Sequence, residues 1–249
     1  MRQLSNKLRP TSGFAHYFHI GLTSLIPILV FIFVLNDFAL LALATILLSK
    51  WRIFAVRPRY WLTNIRANAI DILFGVAMLV FMLQTDTTAW LLLWVVVYEA
   101  WIIFIKPGSS TWLISLQAGL GQLAALMALF TFYGDKPLYW LVLGSWFICY
   151  IAARHYLSGF DEGRVGLIAA CWGYFGGALT WVLGHWLLFY AEVAQIILII
   201  SAIGYGLAAL YYFHDRDRLS SLLQRQFIFI MAVIVAVVFL LSDWTIKQT

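Results

Sequence analysis

FIFIMAVIVAVVFLL, residues 227–241, carries no charged side chain and no polar face. A helix on the surface of a water-soluble domain is apolar along one stripe and polar along the other; a helix apolar all round needs an apolar medium. The segment therefore reads as a membrane span at the periphery of its bundle, exposed to lipid. The whole chain has the same character: 63% of its 249 residues are hydrophobic and 11% are charged, with a mean hydropathy of +0.90. That leaves too little polar side chain to cover a globular surface.

A helical span needs roughly 20 apolar residues, and moving back from residue 227 such runs recur along the sequence. Nine spans are expected, at 14–35, 38–55, 68–84, 88–105, 111–133, 137–153, 165–184, 191–213 and 226–242. Short polar turns separate them, including Asn36-Asp37, Gln84 to Thr88, Lys106 to Ser110, Gly134 to Pro137, Ser158 to Arg164 and His214 to Arg218. The expected fold is an all-α polytopic transmembrane helix bundle, one domain over residues 1–249, with no soluble domain. The apolar run after Phe14 is too long for a removable signal peptide and has no small-residue cleavage site, so the first helix is expected to remain. Pro27 within it is expected to cause a kink.

Charge orients the bundle, because loops on the cytoplasmic side carry the excess of Lys and Arg. With nine spans and a cytoplasmic N-terminus, fourteen of the sixteen basic residues fall inside and only Lys136 and Lys247 fall outside. The outer turns carry Asp37, Asp86, Asp135 and Asp243 instead. The second span is the weak one, since its uninterrupted apolar part runs only from Phe38 to Leu48. A hairpin that fails to cross would put Lys50 to Arg66 outside and break the charge pattern. Snorkelling of Lys50 and Arg52, with Trp51, Ile53 and Phe54 completing the helix, preserves it. The C-terminus then lies outside.

Five basic residues fall between Lys50 and Asp71. Pro58 biases Arg57 away from helical geometry, so Arg57 and Arg59 are expected on a turn. Together with Arg66 and Arg164 they form a candidate site for phosphate or an anionic lipid headgroup; the plainer reading is that they fix topology by attraction to anionic lipid. Asn64, Asn68 and Asp71, spaced i, i+4, i+7, share one helix face that Gly75 continues. Asp71 is an ionisable group one turn into apolar sequence, a position that usually faces the bundle interior. Its expected partners are Arg66 or a basic residue on another helix. Glu99, Gln117 and Arg154 belong to the same inner level, with His16, His19, Tyr150 and His155. The set outlines a polar vestibule open to the cytoplasm, or a group of ion pairs and hydrogen bonds that hold the helices together.

The seventh span, GLIAACWGYFGGALTWVLG at 166–184, spaces Gly166, Ala170, Gly173, Gly177, Thr180 and Gly184 by alternating fours and threes. Such a small-residue seam admits a neighbouring backbone, with Ala202, Gly206 and Ala209 of the next helix as the expected facing surface. Cys149 and Cys171 have no metal or redox spacing and read as packing residues. His16 and His19 lack a nearby carboxylate or cysteine, so no metal site is expected, and His185 and Glu192 read as interface residues. No Gly-Lys-Ser/Thr phosphate loop, HExxH, GxSxG or CxxC occurs, which removes support for ATP-driven transport, zinc proteolysis and serine hydrolysis. No cofactor is expected, and the net charge of +5 is accounted for by topology without nucleic acid.

KWRIFAVRPRYWLTNIRANAIDI, residues 50–72, resembles a stretch of uncharacterised multi-span membrane proteins of small-genome bacteria. The resemblance implies placement in a bacterial cytoplasmic membrane and carries no activity or site. Three functions are compatible with the sequence. One is a membrane-complex or assembly subunit that meets lipid, a membrane-protein partner or its own copies. The second is a transporter or lipid-handling protein using the vestibule. The third is a membrane enzyme acting on a phosphorylated lipid, with arginines on the phosphate and Asp71 or Glu99 as base.

Overall fold

The computed structural model describes residues 14–106, 110–186, 189–190 and 193–242, the side chains of 14–20, 52 and 189–190 excepted. Among the described residues it has nine α-helices: α1 (Phe14–Leu35), α2 (Ala39–Leu48), α3 (Trp61–Leu83), α4 (Thr88–Ala100), α5 (Thr111–Tyr133), α6 (Leu138–Leu157), α7 (Val165–Gly184), α8 (Gln195–Asp215) and α9 (Ser221–Leu241). Six segments among the described residues are long and apolar enough to cross a bilayer: Pro58–Leu83, Thr88–Ile105, Thr111–Tyr133, Val165–Gly184, Gln195–Asp215 and Ser221–Leu241. The chain is thus all-helical, with helices compatible with a multi-pass membrane protein.

α3 and α5 form the centre of the bundle. On one side, Val30 of α1, Ala42 and Ile46 of α2, and Leu79 and Met82 of α3 bury one another. Phe74 and Met78 of α3 pack with Tyr98 of α4 and Ala124 of α5. On the other side, Leu126 of α5, Leu141 and Cys149 of α6, and Ile196 and Ile200 of α8 make the largest buried cluster. α9 packs on α8, with Val238 as the buried residue of the helix, in keeping with its expected peripheral place.

Three boundaries differ from expectation. The second apolar run is helical only over Ala39–Leu48, after which a 3-10 turn at Trp51–Ile53 redirects the chain. Ten residues rise about 15 Å, half a hydrocarbon core. α3 begins at Trp61 rather than 68, because Pro58 starts a short 3-10 turn whose φ suits helix entry while Arg57 stays extended at ψ 140°. The indole of Trp61 donates to the Val56 carbonyl at 2.9 Å, and Phe54 sets its edge against the same ring. α8 begins at Gln195 rather than 191. Phe189–Tyr190 and Val193–Ala194 pair instead as a minimal antiparallel hairpin, which satisfies backbone groups that the helix does not reach. α1 continues as a helix through Pro27.

Two aspartates close helices in left-handed geometry. Asp37 (φ 60°) and Asp217 (φ 53°) occupy the position after the caps of α1 and α8. Phe38 N–H reaches the Phe33 carbonyl at 2.8 Å and Arg218 N–H reaches that of Phe213 at 2.9 Å. This is the Schellman arrangement, usually completed by glycine because a Cβ is penalised there. Asp37→Gly and Asp217→Gly are each expected to raise bundle stability by about 0.5 kcal/mol, the steric gain being partly offset by added backbone entropy in the unfolded chain. A thermal melt in detergent checks this, and a lower melting temperature contradicts it.

Candidate functional site

The inner polar side chains meet around Asp71. Lys50, just past the end of α2, places Nζ 3.0 Å from Asp71 Oδ2; the two side chains are 11% and 12% exposed. The indole N–H of Trp101 donates to the other carboxylate oxygen, Oδ1, at 3.2 Å. Both oxygens are therefore held, one by a charge and one by a neutral donor. This meets the second of the two expected partners, a basic residue of another helix, and not the first: Arg66 is exposed, and five residues along a helix turn it well away from the Asp71 face. It corrects the expected behaviour of Lys50, which folds inward to a carboxylate instead of snorkelling outward.

The backbone changes pitch from Trp101 onward. Residues Trp101–Ile105 leave the α pattern of α4 for a π turn, in which Lys106 N–H bonds to the Trp101 carbonyl at 2.8 Å. The wider turn re-aims the following side chains, and such turns gather at sites where a side chain must be placed off the regular helix face. Trp101 is buried and stacks on Phe74 with ring centroids 3.8 Å apart. The carbonyl of Ile105, at the end of the π turn, accepts from Gln117 Nε2 at 2.6 Å. Gln117 Oε1 lies 2.9 Å from His155 Nε2, so one glutamine joins α4, α5 and α6.

The expected vestibule residues do not all converge. Asn68 Nδ2 donates back to the Asn64 carbonyl at 2.9 Å, within its own helix. Glu99 is met by the hydroxyl of Ser24 on α1, while its Oε2 is buried with no hydrogen-bond partner among the described residues. Arg154 donates to the Tyr150 hydroxyl at 2.6 Å. A recess of about 10 Å³, room for roughly one water, lies beside the Lys50–Asp71 pair and is lined also by Ser49, Tyr98, Trp101 and Lys106. The candidate phosphate arginines Arg57, Arg59, Arg66 and Arg164 are exposed, and none pairs with a carboxylate among the described residues. Arg59 lies over the Tyr60 ring at 4.7 Å. The side chains of His16 and His19, and all of Glu192, lie outside the described residues. Among those described, no three His, Cys, Asp or Glu side chains converge as a metal site would require.

The small-residue seam of α7 lies against α6, which corrects the expected partner α8. A Cβ at Gly173 would stand 2.9 Å from the Trp146 carbonyl oxygen, and one at Gly177 would stand 3.2 Å from Trp146 Cβ. The closest approach follows Ala169, Gly173, Gly176, Gly177 and Thr180, all buried, whereas Ala170 is exposed. At the ends of the seam, Gly184 faces Leu138 and Gly166 has only Arg154 Nη1, at 4.0 Å. Gly206 of α8 packs instead on Met231 of α9. A connection of seven residues joins α6 to α7, and short loops favour antiparallel neighbours.

Sequence reading missed two further polar links. Trp172 of α7 donates to Gln122 Oε1 of α5 at 2.9 Å, across a site kept open by Gly204 of α8. In the α6–α7 loop, Glu162 accepts from the Arg164 backbone N–H at 2.9 Å and from the Tyr211 hydroxyl of α8 at 2.7 Å. These donors, the backbone one first, hold the Glu162 carboxyl below its ordinary range. Since the folded value is depressed, the stabilisation is present above the unfolded value and is lost as pH falls through the folded one. A carbon-detected NMR titration is expected to place Glu162 below the ordinary glutamate range and to move it upward in Tyr211→Phe; an unchanged midpoint contradicts the link.

Comparison with protein-family models, with curated proteins and with solved structures finds no match to this chain.

Proposed function

We propose that the chain is a multi-pass protein of a bacterial cytoplasmic membrane, with the N-terminus inside, the C-terminus outside and nine membrane-embedded helices of which α2 is the short one. Within that membrane it acts as a structural or assembly subunit. The observation that carries this reading is that the inner polar side chains pair with one another across helices. Lys50 and Trp101 hold Asp71, while Gln117 ties the π turn to α6. Such links supply the specific attraction that lipid-embedded helices, lacking a hydrophobic drive to associate, obtain from hydrogen bonds and close packing. A rigid bundle with exposed basic turns is suited to hold a partner or anionic lipid at the inner surface.

A second reading, transport or lipid handling, is favoured by the buried unpartnered oxygen of Glu99 and by the recess at Asp71. Native mass spectrometry of the full chain in mild detergent separates the two. A defined oligomer or a fixed-stoichiometry complex is expected; a monomer free of partners overturns the subunit reading. Orientation is tested by single cysteines in a chain with Cys149 and Cys171 replaced. Positions 86 and 135 are expected to react with an impermeant maleimide in intact cells and position 161 to be shielded; the reverse pattern overturns the topology.

A further inference from the structure

α2 stops short, and the segment that follows it is held in place while its cations stay free. After Leu48 the chain turns at Trp51–Ile53 and again at Pro58–Tyr60 before α3 begins at Trp61. Phe54 meets the Trp61 ring edge-on with centroids 5.2 Å apart, and the Trp61 indole is tied to the Val56 carbonyl. Residues 54–61 therefore sit against the first turn of α3. Arg57, Arg59 and Arg66 are exposed there. The side chains of Arg57 and Arg66 make no hydrogen bond, ion pair or ring contact among the described residues, and Arg59 has the Tyr60 ring at 4.7 Å but no acceptor. Each guanidinium thus keeps its planar fork of N–H donors, the geometry that suits phosphate oxygens.

Arg59, Leu62 and Arg66, at i, i+3 and i+7, follow one face of the continuous segment Pro58–Leu83. Arg66 lies about 10 Å along the axis from Arg59, and helical side chains lean towards the N-terminus, which tilts Arg66 back towards Arg59. The same region is apolar and uncovered: Leu62 is 65% exposed, Ile65 37% and Phe54 55%. Open guanidinium groups interleaved with exposed aliphatic and aromatic side chains match a single molecule that has both a phosphate and an acyl chain. A free phosphate ion uses only the charged half. We infer that Arg57, Arg59 and Arg66, with Phe54, Leu62 and Ile65, form a binding site for one anionic phospholipid. The guanidinium groups hold its phosphate, and the apolar side chains meet its glycerol and upper acyl chains. Anionic lipid attracts any basic residue near the surface; paired forks and an apolar wall add retention of one molecule. Arg164, on the α6–α7 loop, lies outside this continuous segment. The site rests on the membrane placement proposed above and not on the subunit role.

The test uses native mass spectrometry of the full chain in mild detergent, with dioctanoyl phosphatidylglycerol, dioctanoyl phosphatidylcholine and inorganic phosphate as separate probes. Phosphatidylglycerol is expected to be retained in preference to phosphatidylcholine. Its affinity is expected to fall about tenfold or more in Arg59→Ala/Arg66→Ala, as loss of charge-assisted donors implies. Arg218→Ala/Arg225→Ala, which removes the same charge from exposed positions at the start of α9 and the turn before it, is expected to bind like wild type. Equal loss in the two arginine pairs reduces the binding to diffuse attraction and overturns the site. Equal retention of phosphatidylcholine overturns it too, as does no retention of any probe. Inorganic phosphate held with the same arginine dependence overturns the lipid as occupant. The comparison of the two lipids on the unaltered chain needs no variant, so it decides the matter if a variant fails to insert. Subunit mass is read from the same spectra: lipid on a partner-free monomer removes the subunit role and leaves the site, while an oligomer or complex that retains no lipid does the reverse.

Discussion

Asp71→Leu is expected to cost the bundle about 3–5 kcal/mol, because it leaves the Lys50 ammonium without a counter-charge and the Trp101 indole without an acceptor. Removing one partner of a buried pair is far more damaging than removing both. The survivor must then be desolvated alone, or must drag its segment toward water. Asp71→Asn, which keeps one acceptor oxygen, is expected to fall between Asp71→Leu and wild type. Lys50→Met/Asp71→Leu is expected to return to within about 1–2 kcal/mol of wild type. Thermal melts in detergent read the series, where 3–5 kcal/mol corresponds to roughly 10 °C for a chain of this size. If Asp71→Leu melts like wild type, Lys50 snorkels freely and the pair does not hold α2 to α3. If the double variant melts as low as Asp71→Leu, the cost comes from lost packing and the charge argument fails.

The α6–α7 contact sets the second large effect. Gly173→Leu is expected to abolish the folded bundle, because the first added carbon already meets the Trp146 carbonyl oxygen at 2.9 Å and Tyr150 Cβ at 3.0 Å. The carbonyl belongs to the α6 backbone, so it cannot move without moving the helix, and α6 is itself fixed by α5 and the hairpin to α7. Gly173→Ala is expected to cost about 1–3 kcal/mol, the usual range for overpacking. Gly176→Ala meets Cys149 Sγ at 2.5 Å, a side-chain atom, so Cys149→Ala should partly relieve it. Gly166→Ala is expected to be neutral, its sole neighbour being Arg154 Nη1 at an ordinary contact distance of 4.0 Å. The fraction of protein that remains monodisperse after mild heating separates these cases. Equal tolerance at Gly173 and Gly166 would show that the two helices are not in backbone contact.

Both effects trace to residues whose type is plain in the sequence and whose partners are not. An aspartate within apolar sequence announces that it needs company, since isolated charge is costly in hydrocarbon. Nothing local says that the company is Lys50, which lies 21 residues earlier at the end of a helix too short to be placed with certainty by length. A glycine-rich helix likewise announces close packing, but the choice of α6 over α8 depends on which loop is shorter and which face the neighbouring indoles leave open. Gln122 and Trp172 carried no signal at all, because a single glutamine in an apolar helix and a single tryptophan in another acquire meaning only when the two helices are set side by side.

The helical class, the succession of helices and the apolar character of α9 follow from composition and from the length of apolar runs, which are properties of neighbours along the chain. The extended turn at Arg57 is local too, since proline constrains the residue before it. The π turn at Trp101, the engagement of both Asp71 oxygens, the seating of α7 on α6 and the recess lined by Lys50, Tyr98 and Lys106 arise from the packing of the helices. One cause underlies them all. Inside a bundle, hydrogen bonds and close contacts join residues that are distant along the chain, and their energy depends on distances of a few ångströms that only the packed helices define.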